Sequence, residues 1–573
     1  MRFSASLVLF FLALAGVAAA QVPPPIPPPP PPTRTAPSRD TSTQDKVGTA
    51  VLAGRVTSAD GRPLRRAQVR ATAPELREGR TVSTDAEGRW RLKEMPAGRY
   101  ALSVSKGGYV TIAYGQRRSF EQGKPIELAD GQTLANVDVA LPRGGVVTGR
   151  IADEYGEPLT GVRVSAVRYR FSGGQRRLMA VGAGVTTDDI GQYRLYGLSP
   201  GEYYVAATLG GIILSLDKSD DKTSYLTTYF PGATAVADAQ RVTVPEGQEV
   251  QGVSFALAAG RVAKVSGTAV SSAGKPLVAG AVLMTATSGA TEFIGVARLT
   301  PDGKFSFSSV PAGEYMVQLT TEVDAAASAP TTGSMTAAEV AVLPLTVTGA
   351  DVSDIAVVTA PMAVAKGRLT FDGGKPPAAS PGSMSVTTGS TSVQGGSVGG
   401  GQVRVREDWT FESTGIVGRR TLRTLLPPGW WLRSVMLNGT DVTDSGIDFK
   451  PGETIAGFDL LVTNRMASLS GSVLNAKGQP VNDYAVVAFA SDSSKWGYAT
   501  RFVRNGRPDQ SGQFRITGLP GEDYLVVALD YLEPGEESDP ELLERLRAQA
   551  TAIKLRDGEE KTIVLKQLVT RGS

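Results

Sequence analysis

The stretch Gly54-Arg55-Val56-Thr57-Ser58-Ala59-Asp60-Gly61-Arg62-Pro63-Leu64 reads as a short strand, a tight turn and the start of a second extended run. Its skeleton returns along the chain. A glycine opens a β-forming run at Gly54, Gly149, Gly267, Gly367 and Gly471. Seven residues later each is followed by Gly-x-Pro: Gly61-Arg62-Pro63, Gly156-Glu157-Pro158, Gly274-Lys275-Pro276, Gly374-Lys375-Pro376 and Gly478-Gln479-Pro480. The glycine lets the chain turn with φ > 0, and the proline keeps the residues around it extended. Five copies at one offset define a tandem repeat, and that decides the architecture.

The second half of each copy repeats as well. Aromatic-x-apolar pairs occur at Trp90/Leu92, Tyr193/Leu195, Phe305/Phe307, Trp409/Phe411 and Phe514/Ile516. In four copies a glycine stands two residues earlier, at Gly88, Gly191, Gly303 and Gly512. A further Pro/Gly turn leads to a second aromatic residue: Tyr100, Tyr203, Tyr315, Trp431 and Tyr524. The two aromatics are ten residues apart in four copies and twenty-two apart in the fourth, from Trp409 to Trp431, which predicts an inserted segment there. Tyr100, Leu102 and Val104 alternate with Ala101, Ser103 and Ser105, and the copies around Tyr203 and Tyr315 do the same. Period-two alternation between closely spaced turns predicts antiparallel sheets with one buried face, and units of about 100 residues suit β-sandwiches.

With these motifs in place, the order Gly54-Arg55-Val56, Asp60-Gly61-Arg62-Pro63-Leu64, Thr84-Asp85, Gly88-Arg89-Trp90, Gly98-Arg99-Tyr100 resembles the carboxypeptidase regulatory-like domain. The resemblance implies a transthyretin-like, carbohydrate-binding-like sandwich. It says little about activity, because such folds host many functions. The predicted fold class is therefore all-β: a tandem array of five Ig-like (prealbumin/transthyretin-like) antiparallel β-sandwiches, with one short helix in the last. The expected modules are 49–142, 143–260, 261–362, 363–466 and 467–568, the fourth being the most divergent. The helix follows Ser538-Asp539-Pro540, where Ser538 is read as the capping hydroxyl, with Leu542, Leu543 and Leu546 as its apolar stripe and Glu541/Arg545 as an i,i+4 pair. It is expected to cover one side of the last sandwich.

Ahead of the repeats, Arg2, the apolar Leu7 to Leu14 run and Ala18-Ala19-Ala20 predict an export signal over residues 1–20, cleaved before Gln21. A Pro-rich spacer over 21–48 follows, in which Pro23 to Pro32, broken only by Ile26, favours extended polyproline II. No later segment is long and apolar enough for a transmembrane helix. The expected location is the periplasm or the outside of the cell.

Composition excludes several chemistries. The chain has no cysteine and no histidine, so a thiolate nucleophile, a Cys/His zinc site and a Ser-His-Asp triad are all ruled out. In metallocarboxypeptidases this module stands beside a catalytic domain whose zinc needs histidine, so a peptidase reading fails. A net charge of +3 from 59 Lys+Arg and 56 Asp+Glu does not point to nucleic acid. Asp85, Asp188, Asp302 and Asp509 precede the aromatic strands and are read as turn residues rather than catalytic or calcium-binding carboxylates. Asp217, Asp220 and Asp221 come nearest to a calcium loop but are diluted by lysines. No cofactor is expected.

The remaining candidates concern binding. Trp90 and Trp409 fall on the strand position that should be core. Trp431 aligns with the buried tyrosines, leaving Trp430 on the opposite face, and Trp496 stands in a polar loop near Tyr498. Trp430, Trp496 and Tyr498 are thus candidates for stacking on sugar rings, set against ordinary partial burial. The Arg-rich stretch Arg168-Tyr169-Arg170 to Arg176-Arg177 reads by default as a solvated hairpin tip, or as a contact for an anionic surface. The function expected from this is a non-enzymatic, structural or adhesive protein of the envelope that presents binding surfaces along an extended rod, with glycans or envelope proteins as partners. Carbohydrate recognition is the alternative, and a hydrolase the third reading.

Overall fold

The computed structural model describes residues 48–76, 78–209, 223–278, 280–286, 293–321, 339–390 and 401–569. The expected export signal, most of the spacer and residues 217, 220 and 221 lie outside them. Within the described residues the chain forms five β-sandwich modules in tandem, each around its own apolar core.

In the first module the opening strand Ala50–Ser58 lies inside one sheet. It pairs antiparallel with Arg89–Met95 and parallel with Thr133–Leu134 and Val139–Leu141. The facing sheet places Gln68–Thr72 between Arg80–Ser83 and Gly98–Ser105. Alternation works as expected: Val69 and Ala71 are buried while Gln68, Arg70 and Thr72 face water. In the other four modules too, the opening strand pairs in parallel with the closing strands. This is the exception to the antiparallel pattern that the turn spacing suggests. Parallel neighbours let the chain enter a module at one end and leave at the other, so the next module follows almost at once. Val139–Leu141 ends the first module and Gly145–Ala152 opens the second.

The repeated opening glycine faces the first aromatic residue across the sheet. The pairs are Gly54 with Trp90, Gly149 with Tyr193, Gly267 with Phe305, Gly367 with Phe411, and Gly471 with Phe514. A Cβ on Gly149 would lie 1.9 Å from the Val253 carbonyl oxygen and 3.0 Å from the Tyr193 ring. The closing strand's backbone and the aromatic ring occupy the space where a side chain would stand, and only glycine permits that approach. The second aromatic closes a tyrosine corner. The hydroxyls of Tyr100, Tyr203, Tyr315 and Tyr524 donate to the carbonyls of Pro96, Ser199, Pro311 and Pro520 over 2.6–3.1 Å.

The fourth module corrects the sequence alignment. Its core aromatic is Phe411, not Trp409, since Phe411 pairs with Gly367. Trp409 takes the place of the turn glycine, with φ 65°, against 76° at Gly88 and 73° at Gly191. Its carbonyl accepts from Leu369 N, as that of Gly88 does from Val56 N. The half-buried Trp409 ring packs edge-on to Phe371 at 4.6 Å. There is also no insertion between the two aromatic positions. The strand Gly418–Leu425 corresponds to Gly98–Ser105, which puts Arg420 where the tyrosine stands, donating to the Val417 carbonyl at 2.9 Å. Trp431–Leu437 is an additional strand in the first sheet, beside Thr454–Thr463.

In the last module Glu560–Leu568 pairs in parallel with both Ala467–Leu474 and Asp523–Leu529, joining the two halves into one eight-stranded sheet. The helix Pro540–Arg547 lies before the final strands Thr551–Lys554 and Glu560–Leu568. Its cap is the Asp539 carboxylate, which accepts from Glu541 N at 3.0 Å, not the Ser538 hydroxyl. Its ion pair is Arg547–Glu544 at 3.1 Å. Leu543 and Leu546 are buried in a second core with Phe489, Trp496 and Leu532.

Candidate functional site

The fifth module does not stand at the end of a rod: it docks on the first two. Loop residues 114–127 of the first module meet it through charge. Arg507 and Glu121 form an ion pair with side chains only 2% and 0% exposed, and Arg507 also reaches Asp483 at 2.7 Å. The Glu121 carboxylate accepts from the backbone N–H groups of Arg117 and Arg118. Lys124, paired with Asp483 at 3.7 Å, has its pKa lowered by burial. Gln510 exchanges two amide hydrogen bonds with the backbone of Glu127, at 2.9 and 3.0 Å. Burying charge is costly unless it is paired and hydrogen-bonded, and here several pairs share one interface.

Beside these contacts the second module sends out a long hairpin, Arg163–Ser172 and Gln175–Thr186. Arg168 donates from Nη2 to both oxygens of Glu533, at 2.9 and 3.0 Å, and its guanidinium lies 3.7 Å from the centre of the Phe120 ring. Phe120, from the first module, meets Tyr203 edge-on in the second. Tyr531 Oη is 2.8 Å from the Ser119 carbonyl and 3.1 Å from Glu533 Oε1. Three modules thus converge on one arginine and one glutamate.

Their convergence leaves a cleft of about 350 Å³, bordered by Arg168, Tyr169, Arg176, Tyr204, Arg241 and Glu533. Tyr169 and Tyr204 meet edge to face at 6.2 Å. Arg176 lies 5.0 Å from the centre of the Tyr169 ring. Arg241 pairs with Glu202 at 2.9 Å and donates to the Tyr204 hydroxyl at 3.2 Å. Aromatic surface with fixed guanidinium groups is the composition of a site for a polar or anionic ligand.

The sequence placed its stacking candidates elsewhere. Trp496 is 3% exposed, its Nε1 donates to the Ala490 carbonyl at 2.7 Å, and its ring packs against Phe489. Core packing takes the ring, and no face remains for a sugar. Trp430 is half-buried and edge-on to Phe371 in the fourth module's core. Tyr498 is 41% exposed and lies against Gly174, at the tip of the hairpin that borders the cleft. The three are not gathered into one site. The Arg168–Arg177 stretch, read as a solvated tip, instead supplies an interface residue and part of the cleft wall. The hairpin's strands of ten and twelve residues were a signal of this, since a tip that long reaches past its own module. Phe120, Glu121, Arg507, Tyr531 and Glu533 carried no such signal.

The repeated aspartates are held in turns. Asp85 accepts from Glu87 N and Arg89 N, Asp188 from Ile190 N and Gln192 N, and Asp509 from Ser511 N and Gln513 N. The hydrogen bond from Arg89 N lowers the Asp85 pKa, and Lys304 holds Asp302 down to about 2. Asp85, held ionised by its own turn, and Asp302, held ionised by Lys304, are poorly suited to donate a proton. In the third copy Thr300 holds the turn position instead, accepting from Lys304 N. Among the described residues no cluster of carboxylates is arranged to hold a metal. No helix among them is long and apolar enough to cross a membrane.

Residues 51–142 and 146–219 match the family model of the carboxypeptidase regulatory-like domain. No curated protein matches the chain. Among solved structures, GBS52, the minor pilin of Streptococcus agalactiae, is 12% identical over 36% of this chain and 95% of its own, with a TM-score of 0.22. BcpA, the major pilin subunit of Bacillus cereus, is 10% identical over 74% and 99%, with a TM-score of 0.14. Catechol 1,2-dioxygenase from Acinetobacter sp. ADP1 is 16% identical over 18% and 55%, with a TM-score of 0.13. At such scores none of the three bears on what this chain does.

Proposed function

From tandem carboxypeptidase regulatory-like domains at the head of five sandwiches, we propose an exported, non-catalytic binding protein of the cell envelope. The observation that carries this reading is the junction of the first, second and fifth modules. Two ion pairs hold three modules together beside a ready-made cleft, Arg507–Glu121 almost wholly shielded from water and Arg168–Glu533 largely so. A chain serving only as a flexible spacer has no need of such a junction, whereas a binding protein gains from one, because a preorganised cleft avoids the entropy of ordering its walls when the ligand arrives. The sequence adds the export signal and a composition without histidine or cysteine. The carbohydrate-recognition alternative moves with the reading, from Trp430 and Trp496 to the cleft.

Two measurements test it. Expression with the native N-terminus followed by fractionation is expected to place the chain outside the cytoplasm, beginning at Gln21. Incubating that mature chain with envelope extract is expected to retain a glycan or envelope protein, and retention is expected to fall when the cleft residues are changed. A chain that stays in the cytoplasm at full length sinks the export reading. Turnover of a model glycoside or peptide, abolished by a single carboxylate substitution, sinks the non-catalytic one.

A further inference from the structure

We propose that the junction cleft binds a carboxylated sugar ring, a uronate unit of an acidic polysaccharide. This deepens the binding reading above and rests on it. The first argument is charge. Arg168, Arg176 and Arg241 face the cleft, against Glu202 and Glu533, each of which is already paired with an arginine. One positive charge is left over, at Arg176, whose contact is the Tyr169 ring. That balance suits a monoanion. A phosphate monoester, closer to two negative charges at neutral pH, meets the two glutamates as well and is disfavoured by them.

The second argument is shape. Tyr169, 38% exposed, and the half-buried Tyr204 offer aromatic surface beside the guanidinium groups, and the flat face of a pyranose packs on such surface while its hydroxyls meet polar neighbours. The volume of about 350 Å³ lies near the lower end of small-molecule sites, enough for a short saccharide but small for a folded partner. The third argument concerns Arg168. Its Nη1 is buried and has no hydrogen-bond acceptor among the described residues. That atom is sealed from solvent, and what Arg168 offers the cleft is a guanidinium fixed in place by both oxygens of Glu533 and by the Phe120 ring before any anion arrives.

The test uses the mature full-length chain and calorimetric titration with three probes: a short oligogalacturonate, its methyl ester and acetate. The oligogalacturonate is expected to bind. The ester keeps the rings and loses the charge, and is expected to bind at least about tenfold more weakly, as is acetate, which keeps a charge without a ring. Arg176→Ala and Arg241→Ala alter exposed side chains, so both variants are expected to keep the wild-type melting temperature and to weaken oligogalacturonate binding about tenfold each. Equal binding of acid and ester, binding of acetate as tight as that of the oligosaccharide, indifference to both substitutions, or no binding at all would each overturn the proposal. Fractionation is independent of these arms, so an exported chain that ignores oligogalacturonate loses this inference and keeps the envelope reading.

Discussion

At the scale of single residues, the motif that defines the repeat is explained by contact. Gly149→Ala puts a methyl group against the Val253 carbonyl and the Tyr193 ring; Tyr193 is fixed by pairing in the sheet, and Val253 by donating to the Thr148 carbonyl and accepting from the Tyr193 hydroxyl. Overpacking of this kind is expected to cost about 1–3 kcal/mol, read by chemical denaturation. Gly107→Ala meets nothing within 4 Å and is expected to stay within about 0.5 kcal/mol of wild type. Equal losses at the two positions would refute the close-approach explanation. The corner tyrosines make a prediction about pH. Burial raises Tyr100, Tyr203 and Tyr315 from 10.0 to about 12. Above pH 10 an unfolded tyrosine gives up its proton while these keep theirs, so the folded chain binds more protons than the unfolded one. Their contribution to stability is complete below about pH 10 and is lost as pH rises towards 12. Tyrosinate absorbance followed alongside unfolding checks this, and ionisation of all the tyrosines near pH 10 in the folded protein would contradict it.

At the scale of elements, the helix Pro540–Arg547 is the clearest case of a short segment held by what it covers. Eight residues are too few for a stable isolated helix in water. Its stability comes from Leu543 and Leu546 packed into the second core with Phe489, on the sheet, and Trp496, on the loop that follows that strand. Leu543→Ala is expected to cost about 2–5 kcal/mol and to expose Trp496, seen as a red shift in its fluorescence. Asp539→Ala removes the cap alone, costs about 1 kcal/mol, and leaves the fluorescence unchanged. A shift of equal size in both variants would mean that the cap, rather than the apolar stripe, holds the element in place.

At the scale of the whole folded part, the modules are tied by charge as well as by short connections. Arg507 pairs with both Glu121 and Asp483, so removing the Glu121 charge leaves it one counter-charge where it had two, at a cost below the roughly 3–5 kcal/mol of fully orphaning a buried charge. Glu121→Gln is therefore expected to loosen the fifth module from the first, visible as a larger radius of gyration in solution scattering and as new protease cleavage between modules. Swapping Arg507 and Glu121 together for well-packed apolar residues is expected to cost less than Arg507→Met alone, which leaves the buried Glu121 without an ion-pair partner, while Asp483 keeps Lys124 in both variants. Wild-type scattering from Glu121→Gln would show that the junction does not depend on the pair.

The repeat, the sandwich class and the place of the helix were legible in the sequence because each follows from local rules. A turn glycine, an alternating strand and a proline-initiated helix are set by neighbours a few residues away. The fourth module shows where local reading slips: Trp409 holds a glycine's position, so aligning aromatic with aromatic misplaced the register by two residues. The fate of Trp496 was not legible either, because a polar loop does not reveal that it closes over a second core. The cleft depended on tertiary structure altogether. Arg168 meets Glu533, and Glu121 meets Arg507, across separations of hundreds of residues, and no periodicity encodes which solvated-looking charge will face another once the fifth module docks on the first two.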